Sequence, residues 1–212
     1  MDFLSEDETF ILSLVKEYLN KNREFNKNKI LTYLNYHIRL SKRNINSDGV
    51  FKIIKSLIDK NFLVEGSKLS KTDILLNNKR LAIYNYINKN PGTYYNKILK
   101  DLDYNNNVVI WHLEMLIKFN YIKKFKFMNK HLYCESNCEF KDAKISYITS
   151  KNSSKKIINY LKNKEEGANK TKITSKLNMH YNTVSKYIDL LEEFNIIIKI
   201  DSKKNIYSIK KP

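Results

Sequence analysis

Cysteine, proline and glycine are scarce in this chain of 212 residues, which contains two, two and four of them. Two cysteines are too few for the disulfide framework of a small secreted protein, so we expect a cytoplasmic protein. Few prolines and glycines are typical of a mostly helical chain with short turns, because both residues interrupt helices.

Long apolar runs and known catalytic motifs are also missing from the sequence. No run approaches the roughly 18 apolar residues that a membrane-spanning helix needs, and the N-terminus lacks the pattern of a signal peptide. We find no glycine-rich phosphate loop, no Gly-x-Ser-x-Gly motif and no paired carboxylates in an apolar setting. We therefore expect neither an enzyme nor a bound cofactor, and no association with a membrane.

Positive charge is abundant. The chain has 39 Lys and Arg against 22 Asp and Glu, a formal net charge of +17. Such a surplus indicates a polyanionic partner, with nucleic acid ahead of an acidic membrane. Residues 1–77 hold 13 basic and 10 acidic side chains, residues 78–145 hold 12 and 6, and residues 146–212 hold 14 and 6. The C-terminal two thirds therefore carry most of the positive charge.

The sequence repeats itself at an offset of 75 residues, and apolar positions at helical spacing coincide in the two copies. The matched pairs are Ile98 with Ile173, Leu102 with Leu177, Val109 with Val184, Leu113 with Ile188, Leu116 with Leu191, Phe119-Asn120 with Phe194-Asn195, and Ile122 with Ile197. A fainter copy precedes them at an offset of 59, where Asn61 corresponds to Asn120. We therefore predict three units: 1–77, which is divergent, 78–145 and 146–212.

Within the middle unit, the sequence predicts a first helix that ends at Pro91-Gly92. Thr93 is expected to cap a second helix ending near Leu102, and Asn105 a third helix from about 106 to 119. Two short strands with a turn between them follow.

The last unit has the same order, with helices predicted near 153–164, 170–177 and 181–194 and then a hairpin. Three helices closed by a β-hairpin form a winged helix-turn-helix. We therefore predict a mainly α fold with small β-hairpins, an α+β protein of three consecutive winged helix-turn-helix domains, the first only winged-helix-like.

In this fold the third helix enters the major groove of DNA and the hairpin, or wing, contacts the DNA backbone. In the last unit the polar side chains that escape the core suit base edges and phosphates, and Lys170, Lys172 and Lys176 on the second helix could flank the same groove. The predicted DNA-binding residues are Asn107, Val108, Ile110, Trp111 and Lys130 in the middle unit, and Asn182, Thr183, Ser185, Lys186, Lys203 and Lys204 in the last.

The stretches "NKRLAIYNYINKNPGTYYNKILKDL" and "VVIWHLEMLIKFNYIK", within residues 78–124, resemble archaeal tandem winged-helix transcription regulators of the ArsR/MarR-like superfamily. The resemblance implies binding to double-stranded DNA, no catalysis, and commonly a homodimer. Two departures stand out. Val108 and Ile110 occupy groove-facing positions where the family usually has Thr and Ser, and the family motif does not account for the extra N-terminal unit.

Several alternatives remain open at this level. A tandem winged-helix protein can instead be a protein–protein scaffold, as in polymerase-associated subunits and the ESCRT-II complex, or bind RNA or a replication origin. Asp48 at the start of the corresponding N-terminal helix opposes phosphate, which favours a dimerisation or partner surface there over DNA contact. His131, Cys134 and Cys138 could form a metal or redox sensor, although a complete zinc site needs four ligands and no second pair is evident, so we expect no bound metal.

The repeat predicts which face of the third helix the adjacent Trp111 and His112 occupy. His112 aligns with Tyr187, on the side of the third helix that faces the core, so we interpret it as a structural histidine. Trp111 aligns with Lys186, a groove-facing position. It is therefore expected either to contact DNA or to pack against a neighbouring unit.

Overall fold

The computed structural model describes residues 3–41 and 43–210. The protein is mainly helical, with two small antiparallel sheets. The helices are α1 (Glu6–Lys21), α2 (Lys27–Leu40), α3 (Ser47–Asp59), α4 (Lys71–Ile74), α5 (Asn78–Lys89), α6 (Tyr95–Leu102), α7 (Asn106–Lys118), α8 (Phe140–Thr149), α9 (Asn152–Lys162), α10 (Lys170–Leu177) and α11 (Tyr181–Glu193). The strands are β1 (Thr93–Tyr94), β2 (Ile122–Phe127), β3 (Lys130–Glu135), β4 (Ile197–Asp201) and β5 (Ile206–Ile209). Within the described ranges, no helix is long and apolar enough to cross a membrane.

The described residues form two compact units, of which the first lies within 1–86 and 95–124 and the second within 87–94 and 125–212. The division of the sequence into 1–77, 78–145 and 146–212 stays a prediction.

Helices α1, α2 and α3 share one apolar core, and polar residues define where they begin. Ser5 and Glu8 form a capping box at α1, while Asn26 and Asn46 accept backbone hydrogen bonds at the starts of α2 and α3. The core residues of this cluster include Ile11, Val15, Ile30, Leu34, Val50, Ile54 and Leu57.

No strand occurs among the described residues of 1–77, so the wing expected in this first unit is missing. The backbone after α3 bonds instead to the loop between α1 and α2. Phe25 N–H donates to the Ser67 carbonyl (2.8 Å), and Gly66 N–H donates to the Phe25 carbonyl (2.9 Å). Because these polar groups are already paired, the segment continues into α4 without forming a hairpin.

The middle of the chain contains the predicted helices, with one difference at Thr93. Helix α5 ends just before Pro91-Gly92, and Asn105 caps α7 by accepting from Val108 N–H (3.0 Å). Thr93 does not cap α6 directly but lies in β1, where it pairs with Tyr133 of β3. The first sheet therefore has three strands in the order β1-β3-β2. Sequence reasoning missed β1 because a two-residue strand has no alternation to detect.

Helices α9, α10 and α11 and the hairpin β4-β5 lie within a few residues of their predicted positions. Val184, Ile188 and Leu191 of α11 belong to the buried core of this region. Helix α8 was not predicted. Seven of its ten residues are Phe, Asp, Ile, Ser, Tyr or Thr, which favour helix less than Ala or Lys, and the helix is stabilised by burying Ala143, Tyr147 and Ile148.

Helices α3, α7 and α11 end in the same backbone conformation. Asn61, Asn120 and Asn195 follow them with φ of 59°, 55° and 56°. Each asparagine N–H bonds to a carbonyl three residues earlier, and the next N–H bonds to one five residues earlier. Asparagine tolerates this left-handed conformation better than most residues, which explains why Asn recurs at the end of these three helices.

Candidate nucleic-acid interface

The N-terminal half of α11 presents a polar surface. Val184 is fully buried, whereas Asn182 and Lys186 are exposed and Thr183 and Ser185 are half-buried. Burial of Val184 and the following core residues fixes the rotation of the helix, so the predicted contact residues lie on its outer side. Amide, hydroxyl and ammonium groups of this kind can bond to base edges and phosphates.

One predicted contact residue, Ser185, is already engaged inside the protein. Its Oγ accepts from Lys170 Nζ (2.9 Å) and donates to Asp189 Oδ2 (3.3 Å), while Lys170 Nζ also donates to Asp189 Oδ1 (2.6 Å). Burial by itself would lower the pKa of Lys170. The hydrogen bond to Asp189 and the charge interactions with Tyr207 and Asp189 outweigh burial, so the pKa of the lysine is raised. Lys170 therefore ties α10 to α11 and is not free to flank a groove as expected.

The other lysines of α10 differ in their pairing. Lys172 lies 3.5 Å from Glu166, and both side chains are exposed, so this ion pair is weak. Lys176 is exposed. These two lysines remain accessible to an incoming phosphate.

The tip of the β4-β5 hairpin is organised by a carboxylate. Asp201 Oδ1 accepts from the backbone N–H groups of Lys203 (2.9 Å) and Lys204 (3.0 Å), and Asn205 has a φ of 50°. These bonds close the turn and leave the side chains of Lys203 and Lys204 exposed. The β4-β5 hairpin therefore has two exposed lysines at its tip.

Helix α7 presents a different surface from α11. Asn107 is exposed and Val108 is half-buried, while the side chains of Ile110 and Trp111 are 44% and 50% exposed. Among these four predicted contact residues, the side chain of Asn107 offers both hydrogen-bond donors and an acceptor, and that of Trp111 offers only its indole N–H. The side chains of Val108 and Ile110 offer neither. This face is mostly apolar, and its capacity to discriminate bases is low.

Trp111 lies against an arginine that sequence reasoning did not single out. The Arg80 guanidinium carbon is 5.0 Å from the indole centroid, and Arg80 is only 2% exposed. Its Nη1 donates to the carbonyl of Ile74 (2.8 Å). The sequence contained a signal for the burial of Arg80, because Arg80 lies three residues before the buried Ile83 and therefore on the inner face of α5.

His112 is buried, as its alignment with Tyr187 predicted, and is 4% exposed. Its Nδ1 has no hydrogen-bond partner among the residues that the structure describes. Burial lowers the pKa of His112, and the positive charges of Arg80 and Lys79 lower it further. The imidazole is therefore neutral and structural at pH 7.

Lys130, at the start of β3, is exposed and belongs to a cluster of lysines and aromatic rings. Its Nζ lies 5.3 Å from the Tyr94 ring centroid, and Lys151 Nζ lies 4.7 Å from the same ring and 3.9 Å from that of Tyr147. Such contacts orient lysines over rings. Lys151 was missed because only the tertiary structure brings it to Tyr94.

The candidate sensor residues do not form a metal site. Cys134 is fully buried in β3, while Cys138 Sγ donates to the Glu139 carbonyl (3.3 Å) and His131 is exposed. Within the described part of the chain, no group of three or more His, Cys, Asp or Glu residues could hold a metal ion. The metal-sensor alternative therefore receives no support from this geometry.

No protein-family model matches the chain. It is 32% identical, over 142 residues, to an uncharacterized HTH-type transcriptional regulator of Methanocaldococcus jannaschii. The match includes 66% of this chain but only 36% of that protein, so the chain spans little more than a third of the relative's length. The name of that relative describes it as a transcriptional regulator of the helix-turn-helix type.

Proposed function

We propose that the protein is a sequence-specific transcription regulator that binds duplex DNA through winged helix-turn-helix domains and acts as a homodimer. The last unit provides the main DNA contacts. Base edges are recognised by Asn182, Thr183 and Lys186, and the wing lysines hold the phosphate backbone.

One observation carries this proposal: an anchored helix and a lysine-tipped hairpin occur together at the C-terminal end of the chain. Val184 and its neighbours fix α11 with Asn182 and Lys186 outward, and Asp201 fixes the turn with Lys203 and Lys204 outward. The net charge of +17 adds a general attraction to phosphate. The name of the archaeal relative agrees with the same function.

The proposal is tested by measuring the affinity for duplex DNA as a function of salt concentration. A protein that neutralises about 6 phosphates loses roughly a thousandfold in affinity between 50 and 200 mM salt. Replacing Lys186, Lys203 and Lys204 with Ala should reduce the slope of log K against log salt by about 0.9 for each phosphate that the variant no longer neutralises.

The matched control is a triple variant with the same loss of charge on α9, where Lys155, Lys156 and Lys162 are exposed. Their replacement with Ala should change the slope much less, because α9 is not expected to contact the groove. Equal slopes for the two triple variants would show that the attraction is general and that no helix-turn-helix interface exists. Selection of binding sites from random duplexes tests sequence specificity.

The apolar face of α7 favours a second candidate, a protein–protein scaffold. Ile110 and Trp111 are large, exposed and apolar, which is typical of interaction surfaces. A scaffold should bind duplex DNA weakly at 150 mM salt and form a stoichiometric complex with another protein. Tight and salt-dependent binding to duplex DNA by the pure protein would contradict this second candidate.

A further inference from the structure

Arg80 is a buried cation to which the described part of the chain offers no anion. The residue is 2% exposed, and it forms no ion pair among the residues that the structure describes. Its Nη1 donates to the Ile74 carbonyl (2.8 Å), whereas its buried Nε has no hydrogen-bond partner among those residues. Burial of a charge without a counter-ion is unfavourable, so stability alone does not explain this arginine.

The acid that lies beside Ile74 in the sequence is engaged elsewhere. Asp73 Oδ1 lies 3.1 Å from Lys16 Nζ, and Asp73 Oδ2 accepts from the backbone N–H (2.9 Å) and the hydroxyl (2.6 Å) of Ser70. This carboxylate therefore stabilises the start of α4 and does not neutralise Arg80.

Helix α9 shows the same burial pattern as α5 without an arginine. Arg80 and Ser154 are each the third residue of their helix, and each is followed three residues later by a fully buried isoleucine, Ile83 or Ile157. Ser154 is itself fully buried. A small neutral side chain is thus accepted at this position, and the packing of such a helix does not require a guanidinium.

The guanidinium of Arg80 lies toward the N-terminal end of α5. The Ile74 carbonyl to which it is bonded precedes the first residue of α5 by four positions, so the side chain runs back toward the start of its own helix. Asn77 Oδ1 already accepts from the Arg80 N–H (3.1 Å). The N–H groups of Asn78 and Lys79 belong to the first turn, where the partial positive charge of a helix attracts anions.

Lys79 adds a second cation at this end of α5. Its side chain is exposed and forms no ion pair within the described ranges. Burial lowers the pKa of His112, and the positive charges of Arg80 and Lys79 lower it further, so both cations act on the same imidazole. Two cations and the positive end of a helix therefore lie close together.

The indole of Trp111 covers the guanidinium of Arg80. The guanidinium carbon lies 5.0 Å from the indole centroid, and Trp111 is 50% exposed. Because much of the indole already faces solvent, it can turn away without disrupting the buried core. Its movement exposes the guanidinium, whose paired N–H groups match the oxygens of a phosphate.

We propose that Arg80, Lys79 and the first turn of α5 bind a phosphate group, and that the indole of Trp111 moves to admit it. The phosphate supplies the anion that the buried guanidinium lacks, and the helix N-terminus donates backbone N–H groups to it. A small phosphate ester and a phosphate of the DNA backbone both present this chemistry. The inference goes beyond the DNA contact proposed for the last unit and does not depend on it.

Fluorescence tests this inference directly, because Trp111 is the only tryptophan in the chain. The full-length protein is titrated with inorganic phosphate at constant ionic strength. The emission should shift to longer wavelength as the indole leaves the guanidinium, and it should saturate with a dissociation constant below about 10 mM. Chloride at the same ionic strength should produce no such shift. A wild-type emission that does not change up to about 50 mM phosphate would overturn the inference.

Arg80→Met removes the charge and keeps a side chain of similar length. The melting temperature without phosphate should not fall, because an apolar residue replaces an uncompensated buried charge. The dissociation constant for phosphate should rise by about tenfold or more, and phosphate should no longer raise the melting temperature. An unchanged dissociation constant in this variant, with or without a loss of stability, would show that the arginine is structural and that the inference is wrong.

Two lysine variants complete the test. Lys79→Met changes an exposed residue, so it should fold normally and should weaken phosphate binding by about threefold or more. The matched control is Lys89→Met, which removes an exposed lysine from the other end of α5 and should bind phosphate as the unchanged chain does. Equal weakening in both lysine variants would mean that the attraction is general, and would contradict a site at the start of α5.

Duplex DNA distinguishes the two sources of the phosphate. If the DNA backbone occupies the site, duplex DNA shifts the Trp111 emission, and Arg80→Met reduces the slope of log K against log salt by about 0.9. If a small phosphate ester occupies it, Arg80→Met retains the DNA affinity and the slope of the unchanged chain. Because binding of inorganic phosphate is measured without DNA, a failure of DNA binding by the last unit is distinguishable from a failure of this inference.

Discussion

Lys170 Nζ lies 2.6 Å from Asp189 Oδ1, so that a lysine of α10 is paired with an acid on the outward side of α11. The side chain of Asp189 is 59% exposed, whereas that of Lys170 is 18% exposed. The pair therefore connects α10 to α11 at the edge of the proposed DNA surface. It lowers the positive charge available to phosphate there.

Asp189→Asn should strengthen binding to duplex DNA. The substitution removes a negative charge near the groove and releases Lys170, which can then contact a phosphate. The salt slope should steepen by about 0.9, and affinity at 50 mM salt should rise severalfold. Glu193→Gln, which removes the same charge near the end of α11, is the control and should leave the slope nearly unchanged. An unaltered slope in Asp189→Asn would mean that Lys170 lies outside the DNA contact.

Glu8 should make the N-terminal helices sensitive to acid. Its hydrogen bonds from Lys60 (2.7 Å) and Ser56 (2.6 Å) outweigh burial and hold the pKa at about 2. Because the pKa in the folded state lies below the value of 4.5 for an unperturbed Glu, this stabilisation is present above pH 4.5 and is lost as pH falls toward 2.

Thermal unfolding as a function of pH measures this effect. Glu8→Gln should lower the melting temperature at pH 7 and should flatten its dependence on pH between 4.5 and 2. The control Glu17→Gln changes an exposed glutamate of the same helix and should retain the wild-type dependence. A wild-type pH dependence in Glu8→Gln would assign the acid sensitivity to other carboxylates.

Gly92→Ala should destabilise the protein more than Gly66→Ala. Both glycines have positive φ, of 80° and 72°, and each substitution costs roughly 1–2 kcal/mol for this conformation. At Gly92 an added Cβ would also lie 2.1 Å from the Ala143 carbonyl oxygen, whereas at Gly66 the nearest atom is 3.9 Å away. Chemical denaturation compares the two variants, and equal losses would show that α8 shifts without cost to accommodate the methyl group.

Asn195 should be replaceable by glycine but not by a β-branched residue. With a φ of 56° it terminates α11, and glycine adopts this conformation freely. Asn195→Gly should leave the free energy of unfolding within about 0.5 kcal/mol, while Asn195→Val should lower it by about 1–2 kcal/mol. Comparable losses in both variants would mean that the Asn side chain, and not its backbone conformation, is what stabilises this turn.

The exposure of the proposed DNA-binding residues was predictable to different degrees. Helical periodicity predicted that Asn182 and Lys186 are exposed, and the turn of the predicted hairpin predicted the same for Lys203 and Lys204; all four are exposed. Ser185 was placed equally well, but its bonds to Lys170 and Asp189 were not foreseen. Periodicity shows which side of a helix a residue occupies, and it does not show which side chain of another helix lies opposite.

The elements that escaped prediction are those with weak local patterns. Strand β1 has two residues, and α8 combines few strong helix-forming residues with three buried side chains. The hairpin expected after α3 is missing from the described residues for a related reason. The segment that follows Asn61 has an apolar start like the other two, but its backbone pairs with the loop at Phe25, which lies about 40 residues earlier in the chain.

The sequence by itself determined the helices of 78–212 other than α8, the cap of α7 at Asn105, the hairpin near the C-terminus and the charge that indicates a polyanion. These features depend on residues close together along the chain, whose spacing expresses burial and backbone preference directly. Only the tertiary structure revealed the burial of Arg80 beneath Trp111, the pairing of Lys170 with Asp189 and the contact of Gly92 with Ala143. Each joins residues between 19 and 51 positions apart, and such contacts are decided by how helices pack together, which local pattern does not encode.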